Sequence, residues 1–288
     1  MKDVQVSHRL GMRTALLTII AMLAFAANSI LCRLALADGA IDPASFTLVR
    51  IASGALTLWF ILLVSGRATL SQGSWLGAIA LFIYAAAFSF GYISLSAGTG
   101  AFLLFGAVQV TMVLVGIMRG ERLTALQCLG FILALAGLAV LVAPGSFAPS
   151  LVGAGLMILA GVAWGGYSLL GRGSKSPVLA TTGNFVRALP IAGLLMALSF
   201  IGMDAVMTPA GITYAILSGA VASGVGYTIW YAALPGLTPA QGASVQLSVP
   251  VITAIAGTIL LNEQIDLRLL ISSVAILGGI SLIILFNK

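Results

Sequence analysis

A chain of 288 residues that is 60% hydrophobic and 7% charged cannot cover its surface with charge, because a soluble domain carries roughly a quarter charged residues. Its surface is expected to face a lipid bilayer. The net charge of +6 comes from basic residues scattered singly between apolar runs, which reads as membrane-flanking charge and not as a nucleic-acid surface, and the two cysteines, Cys32 and Cys128, fall inside apolar windows and imply no disulfide framework.

In lipid the backbone must hydrogen-bond to itself, so an apolar window of about 20 residues is read as a spanning helix. The shorter alternating segments of a β-barrel are not visible. Ten spans are predicted in chain order: 13–36, 44–65, 75–96, 98–118, 124–143, 151–171, 179–202, 209–234, 240–261 and 267–286. The fold class is therefore an all-α integral membrane protein. The basic tail with Lys2, Arg9 and Arg13, the apolar run and Ala35-Leu36-Ala37 resemble a signal peptide. The run is long for one, however, and it recurs in the second half: Ala24, Ser29 and Arg33 match Ala163, Ser168 and Arg172. It is kept as the first span.

That recurrence is part of a larger one. Gly242 to Glu263, GASVQLSVPVITAIAGTILLNE, repeats Gly100 to Glu121, GAFLLFGAVQVTMVLVGIMRGE, 142 positions earlier. Gly100, Ala101, Thr111, Ile117 and Glu121 meet Gly242, Ala243, Thr253, Ile259 and Glu263 without a gap, and Leu135 and Gly137 then meet Leu277 and Gly279. The chain divides into a five-helix repeat over 1–145 and another over 146–288. Five is odd, so the repeats enter the membrane in opposite directions, and such halves exchange inward-open and outward-open states. With the N-terminus inside, one side receives Lys2, Arg9, Arg13, Arg67, Arg119, Arg122, Arg172, Lys175 and Lys288, and the other only Arg33 and Arg268. Both termini are thus expected in the cytoplasm.

The chain resembles the drug/metabolite transporter superfamily of the ten-helix EamA type. The resemblance spans nearly the whole chain and is most specific over Tyr227 to Glu263, YTIWYAALPGLTPAQGASVQLSVPVITAIAGTILLNE, with its aromatic start, short turn, small residues, mid-helix Pro250 and closing glutamate, followed by Leu277-Gly278-Gly279. Val108 stands where Pro250 stands in the second half, so a kink of the fourth helix matching the ninth is in question. The resemblance implies export of small metabolites through a central cavity between the halves. It is greatest to bacterial exporters of aromatic and other apolar amino acids, and it implies a place in the bacterial inner membrane.

All seven carboxylates, Asp3, Asp38, Asp42, Glu121, Asp204, Glu263 and Asp266, lie at or beyond span ends, so no buried proton relay is expected. Glu121 and Glu263 are read as fixing loops. Arg50 and Arg187, each after a valine, either snorkel to the interface or recognise a substrate carboxylate. The cavity candidates are polar and aromatic residues in span centres: Asn28, Tyr84, Gln109, Trp164, Tyr167, Tyr227 and Gln246, in stripes with Phe88 and Tyr92 on the third span and with Ser223 and Tyr231 on the eighth. Interhelical hydrogen bonding and core packing explain such residues too. Pro250 and Thr253 share the helical face of Gln246. The walls are assigned to spans one, six, eight and nine, and such a neutral, aromatic cavity suits a zwitterion with an apolar side chain.

A membrane enzyme acting on a lipid-soluble substrate is the rival class, and an exporter of another metabolite the rival substrate. The single histidine, His8, lies in the tail, and no buried acid pair or Ser–His arrangement supplies catalysis. The expected partners are the bilayer and a small-molecule substrate, in a monomer without cofactor or metal.

Overall fold

Side-chain caps punctuate the apolar windows and fix where each helix begins. Asp42 accepts from Ser45 N, Ser74 from Gly77 N, Ser96 from Thr99 N, Thr208 from Gly211 N and Asp266 from Leu269 N. Thr124 with Gln127 and Thr238 with Gln241 close reciprocal capping boxes. The computed structural model describes residues 11–286 apart from 68, 70, 71, 146, 147, 172, 173, 203 and 204. Lys2, Asp3, His8, Arg9, Arg172, Asp204 and Lys288 lie outside the described residues.

The ten crossings are α1 (Met12–Leu36), α2 (Pro43–Val64), α3 (Trp75–Gly91), α4 (Ala97–Met118), α5 (Ala125–Val142), α6 (Leu151–Gly171), α7 (Pro177–Gly202), α8 (Pro209–Gly236), α9 (Pro239–Gln246 and Ser248–Leu261) and α10 (Leu267–Leu285). Among the described residues no strand occurs, and the one isolated bridge pairs Ile41 with Met207. Among the described residues nine crossings are long and apolar enough to span a membrane on their own. The exception, α3, stops at Gly91 and not at Ser96: its 17 residues rise about 25 Å, and Tyr92 to Leu95 complete the crossing as turns. Leucine, isoleucine and valine side chains such as Leu129 and Ile132 on α5 and Ile271 and Val274 on α10 remain more than half exposed, as a lipid-facing surface requires.

Two crossings depart from a plain α-helix. In α8, Leu217–Val225 forms a π-helical segment between α-helical ends, and Leu234–Gly236 closes it as a 3-10 turn. In α9 the helix breaks at Leu247. Pro250 has no N–H to offer the carbonyl of Gln246 four residues earlier, and the break falls there. With valine at 108, α4 runs unbroken.

The helix contacts are symmetric under exchange of the halves. α3 packs on α6 as α8 packs on α1; α4 packs on α6 as α9 packs on α1; α2 packs on α8 as α7 packs on α3. The pairs α2–α7, α4–α9 and α5–α10 map onto themselves. This is the arrangement of two five-helix repeats of opposite orientation. Glycines let it close. An added Cβ at Gly219 would run into the carbonyl of Arg50 on α2, and Gly130 and Gly279 do the same to each other's carbonyls between α5 and α10.

Candidate functional site

Between the halves lies a cavity of about 790 Å³, a size suited to a small metabolite. It opens on the side where α1 begins, because its rim is made by Gln72–Ser74, Ser174 and Leu237–Thr238, connections that all follow an even number of crossings. At its inner end is a recess of about 30 Å³ lined by Phe25, Asn28, Ser29, Tyr84, Phe88 and Gln246 among others. That is room for roughly two waters. Phe25, Trp164, Tyr227 and Gln246 line both spaces.

The structure places Asn28, Tyr84, Trp164, Tyr227 and Gln246 around the recess, and Gln109 and Tyr167 on the wider cavity with Trp164, Tyr227 and Gln246. Trp164 is the hub of the aromatic wall. Its ring stacks on Tyr167 at 5.2 Å and 23°, on Tyr227 at 5.4 Å and 25°, and meets Tyr84 at 4.8 Å and 45°. Gln246 closes on its own helix, its Nε2 donating to Gly242 O at 3.3 Å. Pro250 and Thr253, expected on the same face, are buried away from the lining. The break at Leu247 separates them from Gln246. In the stripes, Tyr84 and Phe88 reach the recess, whereas Tyr92 is enclosed and donates its hydroxyl to Ala97 O. Ser223 is buried off the lining, while Tyr231 reaches the cavity.

A polar network stiffens the open end. Asn184 Oδ1 accepts from Ser74 N at 2.8 Å, and its Nδ2 donates to the Tyr167 hydroxyl at 3.4 Å. That hydroxyl donates to Thr181 Oγ1 at 3.2 Å, and Thr181 also bonds Tyr231 at 3.0 Å. Thr181 and Asn184 bring α7 into the wall, and α3 and α4 join it, so the lining draws on more than the four spans expected. The signal was present: Thr181-Thr182-Gly183-Asn184 is a polar cluster inside an apolar window.

On the opposite side the helix ends are tied together. Arg33 Nε donates to Glu263 Oε1 at 3.1 Å, its Nη1 donates to the carbonyls of Tyr92 and Ile93, and Glu263 Oε2 accepts from Ala97 N at 2.8 Å. These bonds tie α1, the end of α3, the start of α4 and the end of α9 together. Val206 O accepts from Asp42 N, and Ala40 O accepts from Thr208, joining the α1–α2 and α7–α8 connections. Arg268 donates to the carbonyls of Ala143 and Pro144. Glu263 thus fixes a loop and more. The other repeat's glutamate, Glu121, lies exposed at the open end, its N–H bonded to Gly116 O.

Arg50 does not snorkel. It is 2% exposed and bonds the Tyr84 hydroxyl through Nη2 at 2.8 Å. Arg187, half-buried near the open rim, donates to the carbonyls of Gln72 and Gly183. Among the described residues no carboxylate lines the cavity or the recess, and no group of His, Cys, Asp and Glu is placed to hold a metal.

Comparison with known proteins matches residues 12–143 and 151–285 to the EamA-like transporter family. The chain is similar to an uncharacterized protein of Pseudomonas aeruginosa, 58% identical over 273 residues, 94% of each chain. It is also similar to an uncharacterized transporter of Archaeoglobus fulgidus, 25% identical over 253 residues, 85% of this chain and 89% of the other. A crystal structure 18% identical in sequence superposes with a TM-score of 0.65 over 97% of this chain and 98% of that one, which shows a shared fold.

Proposed function

The chain belongs to the EamA-like transporter family, and from that premise we propose that it exports small neutral or zwitterionic metabolites, aromatic and other apolar amino acids foremost, by alternating access between its repeats. One observation carries the reading: a cavity of about 790 Å³ between the halves, rimmed on the side where α1 begins and walled by Trp164, Tyr167 and Tyr227 with Gln109 and Gln246 between them. Aromatic faces bind an apolar side chain, amides bond the polar end of the substrate, and among the described residues no phosphate-clamping cluster of Lys or Arg lines the space. The described residues Arg13, Arg67, Arg119, Arg122 and Lys175 flank the open side, against Arg33 and Arg268 on the opposite one. That bias favours a cytoplasmic open side, so the cavity faces the compartment from which an exporter loads. The membrane is then the bacterial inner membrane, with both termini cytoplasmic.

Counterflow in proteoliposomes tests this. Vesicles preloaded with an unlabelled amino acid should accumulate the labelled form transiently and saturably, with phenylalanine, tryptophan and leucine ahead of glutamate, lysine and sugar phosphates. Absence of counterflow for every amino acid, with robust exchange of another metabolite class, overturns the substrate assignment.

A further inference from the structure

Arg50 lies in α2 seven residues from the Pro43 end, 2% exposed. Its guanidinium carbon stands 5.0 Å from the centre of the Tyr84 ring and 4.9 Å from that of Phe88. Among the described residues no carboxylate pairs with it, and its Nη1 has no hydrogen-bond partner. Buried charges in proteins are normally paired, and an ionisable group inside the membrane marks a functional site by default. Two aromatic faces and one phenol offset only part of the desolvation of a guanidinium.

The charge is relayed to the recess. The Tyr84 hydroxyl accepts from Arg50 Nη2 at 2.8 Å and from Asn28 Nδ2 at 3.3 Å. Asn28 Oδ1 in turn accepts from Ser218 Oγ at 2.6 Å, in the π segment of α8. With both bonds accepted, the hydroxyl proton of Tyr84 has no acceptor among the described side chains, and Tyr84 and Asn28 both line the recess. Arg50, Asn28 and Ser218 spend their donors along this chain of bonds, and the Tyr84 hydroxyl is left to donate into the recess. The recess of about 30 Å³ has room for roughly two waters, which is the bulk of the two oxygens of a carboxylate.

We infer that the recess binds the carboxylate of the transported substrate, with Tyr84 and Asn28 touching it and Arg50 acting behind Tyr84 as a positioning residue that supplies the countercharge. The inference rests on the transport reading above and sharpens it: the substrate must carry a carboxylate, and the ammonium is the less demanded end. Nearby Trp164 and Tyr227 offer aromatic faces to that ammonium or to the side chain.

The test uses the full-length protein in proteoliposomes. Counterflow of labelled L-phenylalanine, and of L-leucine, is competed with the matching alcohol (phenylalaninol, leucinol) and with the matching acid that lacks the amine (3-phenylpropionate, 4-methylpentanoate). The acid is expected to compete within about three-fold of the amino acid, and the alcohol at least about ten-fold more weakly, as loss of a charge-assisted bond demands. In Tyr84→Phe, which keeps the ring and removes the hydroxyl, the amino acid to alcohol ratio should fall below about three-fold, and Arg50→Met should do the same. Should Arg50→Met not fold, Tyr84→Phe carries the test. A purely structural role for Arg50 or Tyr84 would lower transport of every ligand without moving this ratio. Equal competition by alcohol and amino acid in the wild type overturns the inference and leaves amino-acid transport standing, as does an unchanged ratio in Tyr84→Phe. No counterflow for any amino acid overturns the amino-acid assignment, and the inference with it.

Discussion

Trp164 sits where α3, α6 and α8 converge, stacked on two tyrosines and touching a third. Replacing it with alanine removes packing as well as any substrate contact; truncating a fully buried tryptophan costs about 3–5 kcal/mol of stability, and truncating the half-buried Trp164 should cost less than that. Trp164→Phe is therefore the sharper variant. It should fold and should raise the KM for aromatic amino acids by roughly three- to ten-fold, the worth of one aromatic pair at about 0.5–1.5 kcal/mol, with a smaller change for leucine, read by counterflow at matched protein levels. Gln246→Ala, at about 1 kcal/mol for one hydrogen bond, should raise KM by about five-fold for every amino acid. If neither variant shifts the kinetics of any substrate, these residues only pack. At the opposite side, Glu263→Gln removes the charge that holds Arg33. A cysteine at Ser29, which lines the recess, should then react with an impermeant thiol reagent from that side several-fold faster than in the otherwise identical parent, with Cys128 replaced by serine in both. The ion pair is partly exposed, so about 1–2 kcal/mol is expected from its loss. An unchanged rate means that the connection contacts near Ala40 and Arg268 hold that side together without it. The individual residues Asn28, Tyr84, Trp164 and Tyr227 were legible in the sequence because polar and ring-bearing residues stand out in apolar windows. The loss of snorkelling at Arg50 was not, because which way a long side chain runs depends on the neighbouring helices, here α3 with Tyr84 and Phe88.

Elements carry the close contacts that shape the cavity. The π segment of α8 brings Ser218 to Asn28 and lays Gly219 against the Arg50 carbonyl. Gly219→Ala puts a methyl group into backbone, so α2 and α8 must part. Overpacking of this kind costs about 1–3 kcal/mol, and the expected result is a melting temperature in detergent lowered by several degrees, with the Gly166→Ala control, where an added Cβ meets nothing, unchanged. The apolar windows placed the starts of α2, α3, α5, α8 and α10 within one residue, and the caps Asp42, Ser74, Thr124, Thr208 and Asp266 were a further local signal that the windows did not use. The π segment and the short α3 were not legible. Both are set by what the helices pack against, and apolar windows have the same composition whether or not the last turns are helical. The break in α9 lay half in view: Pro250 announced a disruption, but its place at Leu247 follows from the carbonyl four residues back.

At the scale of the molecule, the repeat in the sequence carried the architecture, because a recurrence at a fixed offset is insensitive to the details that defeat local reading. The orientation remains a prediction with a direct measurement. Cysteines at exposed Asp38 and Lys175 should be labelled from outside and inside the cell respectively, and the reverse pattern sinks the cytoplasmic placement of the open side. Energy coupling is the second. No described carboxylate lines the cavity or the recess, so exchange should persist at an undiminished rate after an ionophore collapses the pH gradient. Loss of flux under that treatment, together with its loss in Glu121→Gln or Glu263→Gln, would place a proton on one of the two glutamates.

The unequal partners α4 and α9, one continuous and one broken at Leu247, give the molecule two faces that are related but not identical. Under the proposed alternating access the two facing states then differ in free energy, and the substrate would meet a different apparent affinity on each side of the membrane. Such an imbalance sets how fast cargo leaves or enters at a given concentration. It leaves untouched the ratio at which net flow stops, which for an uncoupled carrier is one whichever face binds more tightly. For the uncoupled exporter proposed above, net export would follow from cargo being more abundant on the loading side, and a cell that stops making it would find the same protein running backwards.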